Sequence, residues 1–251
     1  MNDIIWENME QQSSNFKDAN PTKWAFIEEF LDRDFYEKLY DTYPKFDDSW
    51  DIQERGEYGR LSYRKFWKRD EGRYFSDGSL REHVIIPEYD STYSESWNKF
   101  MKIMWSNEFI SKLVQVTGVP ITNLKHMNFM YARKDGFQNT HIHNANDKTL
   151  IVFVYFSKKW EKGDPGGTFL ADGLDFDAKG EKIGKSKIIF EPHSLDNTSL
   201  FVLDGPHAAH GMRKITKDVE RRGIQLTYEP YSETNGWYGD FGKKVLEPME
   251  F

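Results

Sequence analysis

The chain contains no cysteine, which excludes disulfides and thiolate metal sites. It also lacks a long apolar run. The longest, Leu150–Phe156, is far too short to span a bilayer as a helix. The opening MNDIIWENMEQQSSNF has neither a basic start nor an apolar stretch, so it does not read as a signal peptide. With no thiols to oxidise, a cytoplasmic location without membrane association is the expectation. There is no excess of positive charge. The formal net charge of −7 argues against a general binder of nucleic acid or anionic membranes and leaves a small-molecule substrate as the expected partner. Internal repeats and low-complexity tracts are absent, and no feature specifies an oligomeric state.

What is present suits one domain: 251 residues can bury a sizeable core. Aromatics are 16% of the chain, enough to furnish a substrate cleft as well as a core, although the core is their commoner place. Residues 1–20 are polar and read as an arm, and 21–124 as a helical buttress and lid. Within it, Phe26 and Ile27 suggest a short strand. Asp34 reads as the N-cap of a helix carrying Phe35 and Leu39 and stopping before Pro44. Residues 45–90 are charged and irregular and carry no assigned element. A helical zone over 94–117 places Trp97, Phe100 and Met104, then Phe109, Leu113 and Val116, at helical spacing, ended by Gly118 and Pro120.

From residue 125 the pattern turns to strands. MNFMYA, TLIVFVYF, GTFLA, KIIF, SLFVLD and GIQLTY are short β-type runs separated by turn residues. Helices followed by such runs predict an antiparallel sandwich or jelly roll over 125–230, with 231–251 as a C-terminal extension.

Five of the seven histidines lie between 141 and 210. His141 and His143 at i and i+2 on a strand would share a face and could meet one metal, with His210 arriving from a later strand end. An HxH pair is also commonly a surface pair. Imidazole suits zinc, copper, iron and nickel alike, so histidine alone does not select the metal. His83, His126 and His193 read as structural, and His207 as surface or close behind the site.

The order of YARKDGFQNTHIHN, VYFSKKW, PGGTFLAD, EPHSLDNTSLFVLD, HGM and ERRGIQLTYE resembles the catalytic core of the prolyl-4-hydroxylase-like oxygenases over residues 125–229. Tyr131 stands ten residues before His141, as a tyrosine does before that family's first iron ligand. Tyr155 precedes Trp160, Gly166-Gly167 opens a strand, and His210-Gly211-Met212 matches the second histidine. Arg221-Arg222-Gly223-Ile224 matches the strand whose arginine takes the distal carboxylate of 2-oxoglutarate. The resemblance implies a mainly β fold with N-terminal helices, a double-stranded β-helix (jelly roll, cupin-like). It implies a single oxygenase domain, 1–251, using Fe(II), 2-oxoglutarate as co-substrate and O2, with ascorbate as a possible reductant. The reaction would hydroxylate a small metabolite and release succinate and CO2. A 2-oxoglutarate-dependent halogenase, a protein side-chain hydroxylase, a cupin-like metalloenzyme without co-substrate and a degenerate, non-enzymatic jelly-roll binding module are the alternatives.

The resemblance assigns His141, His143 and His210 to the metal and the chemistry, and Arg221, Tyr131 and Tyr155 to the co-substrate. Arg221 is preferred over Arg222 because adjacent strand residues face opposite sides and Gly223 shares the face of Arg221. One departure stands out. The usual triad is two histidines and a carboxylate, and the carboxylate position here is His143. Three ligand sets stay open: His141, His143 and His210; His143 and His210 with Ala145 at a vacant position; or His141 and His210 completed by a carboxylate such as Asp147, or by water.

Overall fold

The computed structural model describes residues 3–54, 59–67, 89–143, 147–175, 181–232 and 236–237; His83, Asn144 and Ala145 lie outside them. In chain order the elements are α1 (Trp6–Glu10), α2 (Ser13–Asp18), β1 (Trp24–Ile27), α3 (Arg33–Asp41), β2 (Asp51–Glu54), β3 (Arg60–Phe66), α4 (Glu95–Met104) and α5 (Asn107–Thr117). The second half contributes β4 (Asn123–Ala132), β5 (Phe137–His141), β6 (Thr149–Phe156), β7 (Thr168–Ala171), β8 (Ile188–Phe190) and β9 (Asp196–Asp204). β10 (His210–Met212), β11 (Arg221–Glu229), β12 (Tyr231–Ser232) and β13 (Gly236–Trp237) complete it.

Pairing runs β9-β6-β11-β4 in one half of a curled antiparallel sheet and β5-β10-β7-β8 in the other. β3 pairs with both β4 and β5 and joins the halves, while β1 extends the first half at β9. The chain crosses between halves at β4–β5, β5–β6, β6–β7, β8–β9, β9–β10 and β10–β11. That alternation is the jelly-roll, double-stranded β-helix topology expected from the strand runs.

Strand alternation then separates two cores. On β6, Leu150, Val152, Val154 and Phe156 face the helices, while Ile151, Phe153 and Tyr155 face the barrel interior. The outer core packs them against Leu39, Trp97, Phe100, Phe109 and Leu113 of α3–α5. Each such fully buried side chain contributes about 1.5–3 kcal/mol. The inner core, with Met130, Leu170, Leu200 and Val202, floors the cavity described below.

Three local expectations change. Residues 1–20 are not an arm: α1 and α2 bury Met9 and Phe16, Ile4 is buried beside them, and Ser13 Oγ donates to the Val116 carbonyl at 2.9 Å. Few apolar residues suffice when they share one face. The N-cap of α3 is Asp32, whose carboxylate accepts from Asp34 N at 3.1 Å and Phe35 N at 3.2 Å. Asp34 instead stands in the first turn, where the helix dipole favours its charge. The zone 94–117 is two helices, because Ser106 caps a new start by accepting from Phe109 N at 3.1 Å. Gly118 closes the second at φ 73°. Among the described residues, no helix is long and apolar enough to cross a membrane.

Candidate metal and co-substrate site

His141 is the last residue of β5 and His210 the first of β10, and the two are direct cross-strand partners. Partners in an antiparallel pair point to the same face, so the register alone brings these imidazoles together. His143 is not on the strand as its spacing predicts. β5 ends at His141, and His143 returns to the group from the loop that follows. Ring centroids are 4.4 Å apart for His141–His210, 5.0 Å for His141–His143 and 4.8 Å for His143–His210. One nitrogen of each lies within 4.8 Å of the others. Metal–nitrogen bonds of about 2.0–2.1 Å ask for closer nitrogens than this.

The hydrogen bonds identify which nitrogen of each buried ring keeps its lone pair. Nδ1 of His141 faces the Asn139 carbonyl at 3.0 Å, and Nδ1 of His210 faces the Ala208 carbonyl at 2.6 Å. Carbonyl oxygens only accept, so each Nδ1 carries the proton and each Nε2 keeps its lone pair. Gln138 Nε2 donates to His141 Nε2 at 3.1 Å, consistent with that tautomer. Nδ1 of His143 faces Oδ2 of Asp204 at 2.9 Å. His141 and His210 are 3% and 5% exposed. Burial, reinforced by the other two histidines, holds His141 well below the ordinary imidazole value. Burial and His143 push His210 down to about 4, against the opposing pull of Asp204. Both are therefore neutral at pH 7, the form that binds metal.

The same cavity reaches Arg221, the first residue of β11, with Met130 and Phe153 among its walls. Arg221 is 5% exposed. Its Nε donates to the Gly166 carbonyl at 3.2 Å and its Nη2 to Thr168 Oγ1 at 3.1 Å, while Nη1 lies 3.6 Å from Met130 Sδ. All three acceptors are neutral, and no carboxylate among the described residues pairs with it. The guanidinium sits 5.3 Å from the Tyr155 ring centroid. The Tyr155 hydroxyl is fully buried without a hydrogen-bond partner of normal geometry, although Thr168 and Arg221 are its polar neighbours. Burial raises its pKa, against the influence of Arg221, so it is a phenol with a proton to donate. Gly166 holds its carbonyl on Arg221 at φ 120°, and a Cβ there would come within 2.9 Å of Trp160.

Tyr131 is not brought to this site. β4 alternates, so Met130 lines the cavity while Tyr131 shares the helix-side face with Phe129. Its ring stacks on Phe46 at 4.6 Å, and its hydroxyl donates to Glu220 at 3.0 Å. Burial and Glu220 push its pKa up to about 12. Counting ten residues through the β4–β5 turn does not determine a strand face. Arg222, the cross-strand partner of Tyr131, points the same way, onto Glu220 and the rings of Tyr40 and Tyr43. Asp147 is exposed and outside the histidine group. His126 bonds Thr227 at 3.2 Å, His193 bonds Glu28 at 2.9 Å, and His207 is exposed.

Two participants escaped the sequence reading. Thr168 stands at the start of a strand opened by Gly166-Gly167, one position short of legible. Asp204 shares the inward face of β9 with Leu200 and Val202. An acid at an apolar-facing position was the available signal.

The architecture is a double-stranded β-helix, a fold it shares with solved structures of 2-oxoglutarate and iron(II) oxygenases. A Pseudomonas putida prolyl-4-hydroxylase is 13% identical with a TM-score of 0.53, over 88% of this chain and 99% of that one. A Burkholderia pseudomallei oxidoreductase of the 2OG-Fe(II) oxygenase family is 12% identical with a TM-score of 0.56, over 88% and 90%. HygX from Streptomyces hygroscopicus, solved with nickel, 2-oxoglutarate and hygromycin B, is 11% identical with a TM-score of 0.54, over 89% and 88%. No family model matches the chain, and no curated protein matches its sequence significantly.

Proposed function

We propose that this chain is an iron(II)- and 2-oxoglutarate-dependent oxygenase that hydroxylates a small polar molecule, releasing succinate and CO2. The observation that carries the reading is Arg221. A buried guanidinium with only neutral partners is costly, and a carboxylate is the group that compensates it bidentately. An orphaned phenol beside it supplies a further donor. Three imidazoles line the same cavity. A dicarboxylate that chelates a metal at one end and meets Arg221 at the other fits both halves. The chemistry of the fold's other members selects iron.

In this reading His141, His143 and His210 hold the ion through Nε2. When bound, iron with 2-oxoglutarate supplies the activation of O2. Arg221, Thr168 and Tyr155 grip the distal carboxylate and set the co-substrate's orientation. Phe153 and Met130 keep the space between dry, which strengthens each of these contacts. Ser62, Arg64 and Gln225 add polar groups to the lining, which favours a hydrophilic substrate. HygX, whose structure holds hygromycin B, is a precedent for a small molecule bound on this fold.

The test is succinate formation from 2-oxoglutarate with iron(II) and O2, alongside an anaerobic absorption titration of the iron–2-oxoglutarate complex. Turnover with the unsubstituted chain and its loss in Arg221→Ala are expected. Absence of both co-substrate binding and succinate in the unsubstituted chain overturns the reading.

A further inference from the structure

The group's third histidine is backed by a buried acid. Asp204 is 4% exposed at the inward end of β9. Its Oδ2 accepts from His143 Nδ1 at 2.9 Å, and its Oδ1 accepts from Gly205 N at 3.1 Å. Among the described residues, no lysine or arginine pairs with it; His143 is its ion-pair partner. A carboxylate this buried needs a compensating positive charge. His143 is itself partly exposed, at 36% of its side chain, and arrives on a loop rather than a strand. Among the described residues, Asp204 is the side chain hydrogen-bonded to the His143 ring, and that bond holds the ring toward His141 and His210.

The two problems solve each other. A metal bound at Nε2 withdraws charge from the imidazole, and the polarised Nδ1–H then offsets Asp204. In the usual facial triad a carboxylate stands on the metal itself. Here that position is His143, and a carboxylate stands directly behind it.

We propose that Asp204 is a positioning residue for the metal. It locks His143 as the Nδ1–H tautomer and returns, from behind that imidazole, the negative charge that a third neutral ligand leaves out. The proposal rests on the oxygenase reading for the identity of the metal. The hydrogen bond to the ligand ring does not depend on it. Carboxylates behind metal-bound histidines fix ring orientation and raise ligand basicity, and losing one typically weakens metal binding about 10–100-fold.

The experiment uses the full chain, apo and reconstituted anaerobically with iron(II). Asp204→Asn keeps an oxygen that accepts from Nδ1–H but removes the charge. The expected result is iron affinity about 10–100-fold weaker by chelator competition, with the iron(III)/iron(II) potential shifted positive, because the oxidised ion loses more from the missing charge. His143→Asp in the Asp204→Asn background places a carboxylate on the metal and should recover much of the affinity. A purely structural role for Asp204 would change melting temperature without moving the potential, and that outcome overturns the proposal. Should Asp204→Asn fail to fold, histidine 15N spectra of the unsubstituted, zinc-loaded protein decide. Nδ1–H on His143 with Nε2 coordinated is expected, and coordination through Nδ1 overturns the assignment. An unsubstituted chain that binds no iron would instead defeat the oxygenase reading. Tight iron binding unchanged by Asp204→Asn, with an unchanged potential, defeats only this one.

Discussion

His141 and His210 face each other directly across the β5–β10 pair, although the rest of β6–β9 lies between them in sequence. Their approach is a property of strand register. A one-residue slip of β10 would turn His210 to the opposite face. Metal binding is therefore expected to be coupled to the integrity of this short pairing.

The first prediction follows from that pair. His210→Ala should abolish stoichiometric iron binding, while His207→Ala, exposed and outside the group, should leave it intact. Calorimetric titration of the apoprotein with iron(II) measures both. Equal binding in His210→Ala and the parent would refute the site.

The second concerns the neighbouring arginines. Arg221→Ala should weaken 2-oxoglutarate by a factor of about 10²–10³ or more, equivalent to roughly 3–5 kcal/mol for a broken buried charge pair, and spare iron. Arg222→Ala should barely matter, because Arg222 lies on Glu220 and Tyr40 across the sheet. Anaerobic absorption titrations of the two variants discriminate them.

A parallel contrast separates two tyrosines. Tyr155→Phe should weaken 2-oxoglutarate several-fold, while the apoprotein melts little lower, since the buried hydroxyl makes no hydrogen bond of normal geometry to its neighbours Thr168 and Arg221. Tyr131→Phe should leave co-substrate affinity unchanged and cost about 1 kcal/mol of stability for the lost bond to Glu220. Denaturant melts with co-substrate titrations check both.

Acid should destabilise the apoprotein through the same histidines. Folding depresses the pKa of His210 to about 4, with burial the main cause, while the unfolded chain protonates this residue near the ordinary value of about 6.5. The unfolded state thus binds more protons between these values. Stability is full above the ordinary value and falls as pH drops toward about 4, by on the order of 3 kcal/mol from this residue. Guanidinium melts at pH 7 and pH 5 should show the loss, and His210→Asn should reduce it.

The strand runs after residue 125, the helix faces of Trp97 and Leu113, and the three histidines were legible because each is a local pattern of period two, period 3.6 or spacing. The same local reading failed at the N-terminal arm, where Met9 and Phe16 are too sparse to signal burial yet are covered by a distant helix. It failed at Tyr131, where a residue count crossed a turn and lost the strand face.

The order of the strand runs, the opposite facing of Arg221 and Arg222 on their strand, and the presence of an imidazole at His143 two residues after His141 were determined by the chain's sequence. Alternation and residue identity need no partner to be read. Only the tertiary structure decided that, among the described residues, Arg221 has no acid to pair with, that the buried Tyr155 hydroxyl lies beside it, and that Asp204 stands behind His143. Those are relations between β11, β7 and β6, and between β9 and the loop after β5. They arise from how the two halves of the sheet curl onto each other, and a buried charge takes its meaning from whichever group the curl places opposite it.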